Sequence, residues 1–163
     1  MCANAHGLER ARQLLELFGG QTWQEMLPLE FCRAPDETGG LVLEGCDLVV
    51  RSAPVRHPIP AAAYRAEWKA WSHADVFSGD SQPCPELATL ARGADLRIHE
   101  ATGAEPGHSD AAQAGQAAAQ AAARGLMLIL EDPGQNRNAL CAGVRNQFNG
   151  PVKVAEDGLP VEV

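Results

Sequence analysis

The sequence predicts an α/β fold of the α+β kind, a mixed sheet with helices on one of its faces, and three observations carry that reading. Apolar and β-branched runs crowd the stretch from residue 41 to residue 77. From residue 85 onward helical and extended segments alternate instead. Size is the third observation, since 163 residues suffice for one domain, 1–163, around a single core. Strands first, then alternating helix and strand, put helices over one side of a sheet whose other side needs a cover of its own.

Taken in order, "GLERARQLLELF" (7–18) sets Leu8, Ala11, Leu14, Leu15 and Phe18 at helical spacing, and two glycines at 19 and 20 stop it. A short helix is expected at 22–27, with Thr22 as its cap. "LVLEG" (41–45) and "DLVVRSAPV" (47–55) form a hairpin about Gly45. "RHPIPAAAYRAEW" (56–68) begins with prolines that hold it extended and continues as a strand, and "ADVFSGD" is a strand that ends at Ser78-Gly79. There follow a helix at 85–92, a strand at 94–99, a helix at 110–124, a strand at 126–130, a helix near 137–148, a strand at 152–155 and a final "PVEV". The helix at 110–124 is nearly all Ala and Gln, so it can lie close to a sheet; Ser109 or Asp110 caps its start and Arg124-Gly125 marks its end.

Thirteen Lys and Arg stand against 21 Asp and Glu, a net charge of −8. That field repels phosphate backbones and anionic membranes, which disfavours nucleic acid as a partner. No apolar run is long enough to span a bilayer and the first residues lack the core of a signal peptide, so a cytoplasmic location without membrane contact is the expectation. Five scattered cysteines (Cys2, Cys32, Cys46, Cys84, Cys141) without a C-x-x-C spacing read as reduced, packed thiols.

Ligands in open α/β sheets bind beyond the carboxyl ends of the strands. Asp80, His99-Glu100 and Glu131-Asp132 stand at three such ends, and His108-Ser109 stands just before a helix. Carboxylates and imidazoles converging there would suit a divalent ion that acidifies a bound water. Spacing leaves a second reading open, in which these residues are solvated loops and helix caps.

The stretches "VFSGDSQPCPELATLARGADLRIHEATG", "GHSDAAQAGQAAAQAAARGLMLIL" and "FNGPVKVAEDGLPVEV" resemble the C-terminal half of a metallo-β-lactamase-fold hydrolase of the ribonuclease Z type, and "PVRHPIPAAAYRAE" resembles the strand before that family's S-G-D-T segment. The resemblance runs from about Gly7 to Val163. It implies half of an αββα sandwich, with Asp80 as the carboxylate that bridges two metal ions. His108 and Glu100 become the catalytic pair that passes a proton to the leaving oxygen, a task suited to an imidazole oriented by a carboxylate. His99 supports the loop as a hydrogen-bonded residue.

The sequence departs from the family in two places. No H-x-H-x-D-H, the family's principal metal signature, is present, so the chain is expected to begin after the half that carries it. Asp132 occupies the place of the last metal-binding histidine, and a carboxylate is a harder ligand than imidazole. The expected metal set is therefore Asp80 and Asp132, holding no ion or a weakly bound Zn²⁺ or Mn²⁺. His57, in "RHPIP", a context the family shares, is open to a metal-ligand reading but is read in preference as a packed or hydrogen-bonded residue, and Trp68 and Trp71, which could clamp a ligand, as partly buried rings or a subunit contact.

Half a sandwich leaves one apolar sheet face bare, more than a soluble monomer tolerates. The expectation is a homodimer joined through that exposed face, a truncated and catalytically degenerate module. The alternatives are one part of a split phosphodiesterase, completed by a separate N-terminal-half chain with H-x-H-x-D-H, and a gene fragment without selected activity.

Overall fold

The computed structural model describes residues 2–20, 29–129, 134 and 136–158. The chain opens with β1 (Cys2–Ala3) and α1 (Ala5–Leu17), and β1 pairs in parallel with β2 (Cys32–Arg33). The main sheet has seven strands: β3 (Gly40–Glu44), β4 (Leu48–Val55), β5 (Ala61–Trp68), β6 (His73–Phe77), β7 (Leu96–Glu100), β8 (Gly125–Ile129) and β9 (Val152–Val154). They lie side by side in chain order, β3-β4-β5-β6-β7-β8-β9. Helices α2 (Pro85–Leu90), α3 (Ala111–Gln120) and α4 (Arg137–Arg145) fall between the last four.

That order follows from the connections. Strands β3 to β6 are antiparallel neighbours joined by short links, as at the β3–β4 turn, where Gly45 N–H donates to the Leu48 carbonyl at 2.8 Å. Strands β6 to β9 are parallel, and each pair needs a crossover. Right-handed crossovers that always step the same way along a sheet put all their helices on one face. Leu126 and Leu128 of β8 accordingly pack with Ala114, Ala118, Leu140 and Val144 of α3 and α4, while Val76, Ala53 and Ala63 pack with Leu87 and Leu90 of α2.

The opposite face follows from the alternation of the strands. Register aligns Tyr64, Phe77, Ile98 and Met127 across β5 to β8. Met127 is buried, Tyr64 and Ile98 are half-buried, and Phe77 is 43% exposed. Helix α1 also leaves Leu14, Leu17 and Phe18 exposed; of the apolar positions that define its pattern, only Leu8 is buried.

The main elements lie where the sequence predicts them, with differences at their ends. Helix α3 stops at Gln120 rather than at 124, because Ala122 takes a left-handed conformation (φ 51°), and Gly125 opens β8 instead of capping a helix. The short pair β1–β2 has no signal in the apolar pattern. The expected helix at 22–27 and the final "PVEV" lie outside the described residues. Cys32, Cys46, Cys84 and Cys141 are free thiols. Among the described residues no helix is long and apolar enough to cross a membrane.

Candidate metal centre

Three loops at the carboxyl end of the sheet build the site. After β6 the chain turns at Gly79 (φ 61°), where a side chain would stand 3.0 Å from the Ala62 carbonyl oxygen, so only glycine lets Asp80 follow directly. Ser78 and Ser81 on either side are buried. Ser78 Oγ accepts from Glu100 N–H (3.2 Å), and the Ser81 carbonyl accepts from Ser109 Oγ–H (2.6 Å). Gln82 N–H donates to the Arg56 carbonyl (3.0 Å), and the Gln82 side-chain oxygen accepts from Gly107 N–H (3.0 Å). The loops bearing His57, Asp80 and His108 are thereby tied together.

Glu100 ends β7 and is fully buried. Its carboxylate accepts from Ser81 N–H at 2.6 Å and from His108 Nδ1 at 3.1 Å to each oxygen. A buried carboxylate needs such donors, and this one in turn fixes the ring orientation of His108 and leaves Nε2 as its outward atom. Gly107 (φ 94°) lies against Pro58, where a Cβ would overlap the proline ring and stand 3.1 Å from His57 Cδ2. That close approach brings the two imidazoles edge to face, with centroids 5.1 Å apart and planes at 81°. His57 Nδ1 contacts the Ile59 carbonyl at 3.1 Å, which leaves its Nε2 for a ligand.

His57, Asp80 and His108, all half-buried, bring one ligand atom each within 4.8 Å of one another. Two imidazoles and a carboxylate are a known donor set for catalytic zinc, which keeps a fourth position for water. Ligand atoms on one tetrahedral zinc lie about 3.4 Å apart, as bonds of about 2.1 Å require, so the donor types suit a divalent ion and the rim must draw in slightly to hold it.

Of the residues expected from the sequence, the structure brings Asp80, Glu100 and His108 together, while Asp132 lies outside the described residues. His99 points away from this rim. It is fully buried, its Nδ1–H donates to the Glu100 carbonyl at 2.9 Å, and Nε2 has no partner among the described residues. Burial above all, then the Arg97 charge, lowers its pKa to about 3, against a small opposing effect of that carbonyl. The sequence reading weighed His57 as a metal ligand but preferred a packed or hydrogen-bonded residue. It is hydrogen-bonded, and it is also part of the cluster, which no spacing announces because it stands 51 positions before His108. Trp68 and Trp71 lie tilted at 36° with centroids 5.9 Å apart, Trp71 being 70% exposed.

No family profile matches the chain. A ribonuclease Z from Myxococcus xanthus is 38% identical over 98 residues, 54% of this chain but 32% of that protein. Among solved structures, a metallo-β-lactamase fold protein from Bacillus subtilis aligns with a TM-score of 0.70 and 22% identity, covering 89% of this chain and 60% of that one. The short form of human tRNase Z aligns with a TM-score of 0.71 and 20% identity, covering 99% and 66%. The chain has the metallo-β-lactamase fold and a ribonuclease Z-like sequence. It spans about a third of the length of the curated relative and less than two thirds of either solved chain. In this metallo-β-lactamase fold the three loops above stand at the carboxyl ends of β4, β6 and β7, on one edge of the sheet.

Proposed function

We propose that this chain is a ribonuclease Z-like phosphodiester-hydrolase module of reduced catalytic power, which holds a divalent ion weakly and works as a homodimer. The observation that carries the reading is the buried Glu100 clamping His108 beside Asp80 and His57. When bound, a Zn²⁺ or Mn²⁺ ion supplies positive charge to phosphate oxygens and acidifies water. Asp80 and His57 would hold it, His108 of the same cluster being kept by Glu100 for the proton transfer. His108, held through Nδ1 by Glu100, is placed to deliver a proton from Nε2 to the departing alkoxide. Glu100 keeps the ring in place through both carboxylate oxygens. With His108 reserved for proton transfer, two protein ligands fall short of the three of an ordinary catalytic zinc site, hence the weak ion and low turnover.

The homodimer rests on the half-exposed row of Tyr64, Phe77 and Ile98, which a second copy would cover sheet on sheet. A separate chain bearing the missing ligands could cover the same face. The partial span of the solved relatives favours keeping that second reading.

Metal content after dialysis against Mn²⁺ or Zn²⁺, with hydrolysis of a chromogenic phosphodiester, tests the proposal. Less than one ion per chain and turnover near background are expected, and Asp80→Asn should remove the bound ion. His108→Ala should retain it; loss of the ion in that variant would make His108 a ligand instead of the proton donor. Strong turnover abolished by Asp80→Asn would overturn the reduced activity, and metal binding indifferent to Asp80 would overturn the site.

A further inference from the structure

On the helix side of the sheet Arg97 of β7 is 1% exposed, yet among the described residues no carboxylate pairs with it. Its one hydrogen bond there runs from Nη1 to the Ala117 carbonyl at 3.5 Å, the outer limit of such a bond, and Nε has no partner. A guanidinium stays charged at neutral pH even so. Burial lowers it only to about 10, and the neighbouring Cys84 resists that fall. A buried cation without a partner is costly, so a compensating anion is the physical expectation.

Beside Arg97 there is room for one. A cavity of about 260 Å³ opens between the start of α2 and the C-terminal half of α3, lined by Pro83, Cys84, Pro85, Arg97, Ala117 and Gln120 among others. None of His57, Asp80 and His108 lines it. The space equals about nine waters by volume, more than a bare inorganic anion fills. Its wall is mostly proline and alanine, and its polar groups are few. A guanidinium fork matches a carboxylate with two parallel hydrogen bonds. The ligand chemistry that satisfies both ends is therefore a carboxylate with a short apolar tail.

We propose that this cavity binds a small organic carboxylate, its oxygens on the Arg97 guanidinium and its tail against Pro83, Pro85 and Ala117. Cys84 forms part of the wall and takes no part in a reaction.

The test uses the full chain at constant ionic strength, with sodium chloride replaced stepwise by acetate, butyrate or inorganic phosphate. Thermal melting and the ¹H–¹⁵N signal of the arginine Nε–H groups are followed. Butyrate is expected to raise Tm saturably and to shift the Arg97 signal, with acetate at least several-fold weaker. Arg97→Met keeps the length and apolar stem of the side chain, so it should fold and lose the response. Arg97→Lys, charged but without the fork, should bind at least tenfold more weakly. A rise in Tm that persists in Arg97→Met is a general salt effect and overturns the proposal. So does a response to phosphate alone, which would make the site one for an inorganic oxyanion. Cys84→Ser should respond like the unaltered chain; if only that variant responds, the Cys84 thiolate is the native counter-ion and no ligand is needed.

Discussion

Two adjacent residues at the end of β7 show how one step along a strand separates roles. Glu100 turns toward the loops and meets Ser81 N–H and His108, so its charge is used. His99 turns into the helix layer and stays neutral, because burial and Arg97 both oppose its proton. The unfolded chain binds that proton near pH 6.5, whereas the folded chain resists it down to about 3. The stability His99 allows is therefore complete above pH 6.5 and lost progressively as pH falls, by about 1.4 kcal/mol for each unit below 6.5. Urea midpoints measured between pH 7 and pH 4 should fall accordingly, and His99→Leu should flatten the slope. An unchanged slope would assign the acid sensitivity to another group.

At the scale of elements, α3 is the piece most shaped by its neighbours. Asp110 accepts from Gln113 N–H while the Gln113 side chain accepts from Asp110 N–H, a reciprocal cap that starts the helix. Its end is a Schellman motif, with Ala123 N–H on the Ala118 carbonyl and Ala122 N–H on the Ala119 carbonyl. Alanine holds the left-handed position there, at a cost of about 1 kcal/mol. Ala122→Gly is expected to stabilise by about 0.5–1 kcal/mol, read as a higher urea midpoint. The middle of the helix is less forgiving. A Cβ at Gly115 would stand 3.1 Å from both Val144 Cγ1 and the Val144 carbonyl oxygen, where α4 crosses. Backbone cannot step aside, so Gly115→Val should cost about 1–3 kcal/mol, visible in thermal melting with the metal site unaltered.

For the molecule as a whole, the sequential strand order decides what is covered. All three crossover helices lie on one side, and the row Tyr64, Phe77, Ile98 on the other is left partly open. The proposed homodimer uses that row, and light scattering should give twice the chain mass. Phe77→Glu would set a charge in the centre of the joint and is expected to raise the dissociation constant at least tenfold. A monomer at micromolar concentration in the unaltered chain would remove the dimer.

How much of this could be read in advance depends on whether the signal is local. Helices and strands came from periodicity, and Asp80, Glu100 and His108 came from short stretches of the chain that resemble a known family, because turns, caps and strand ends are properties of a few consecutive residues. The early end of α3 escaped because glycine usually takes the left-handed position that Ala122 holds here. His57 joins the site only because Gly107 lets two distant loops touch, and Arg97 becomes an unpaired charge only because α3 lies over β7. Sequence alone determined most of the elements, their order and which polar residues end the strands. Tertiary structure decided which side chains meet and which charge is left without a partner, since burial and contact across the chain are set by packing rather than by neighbours in sequence.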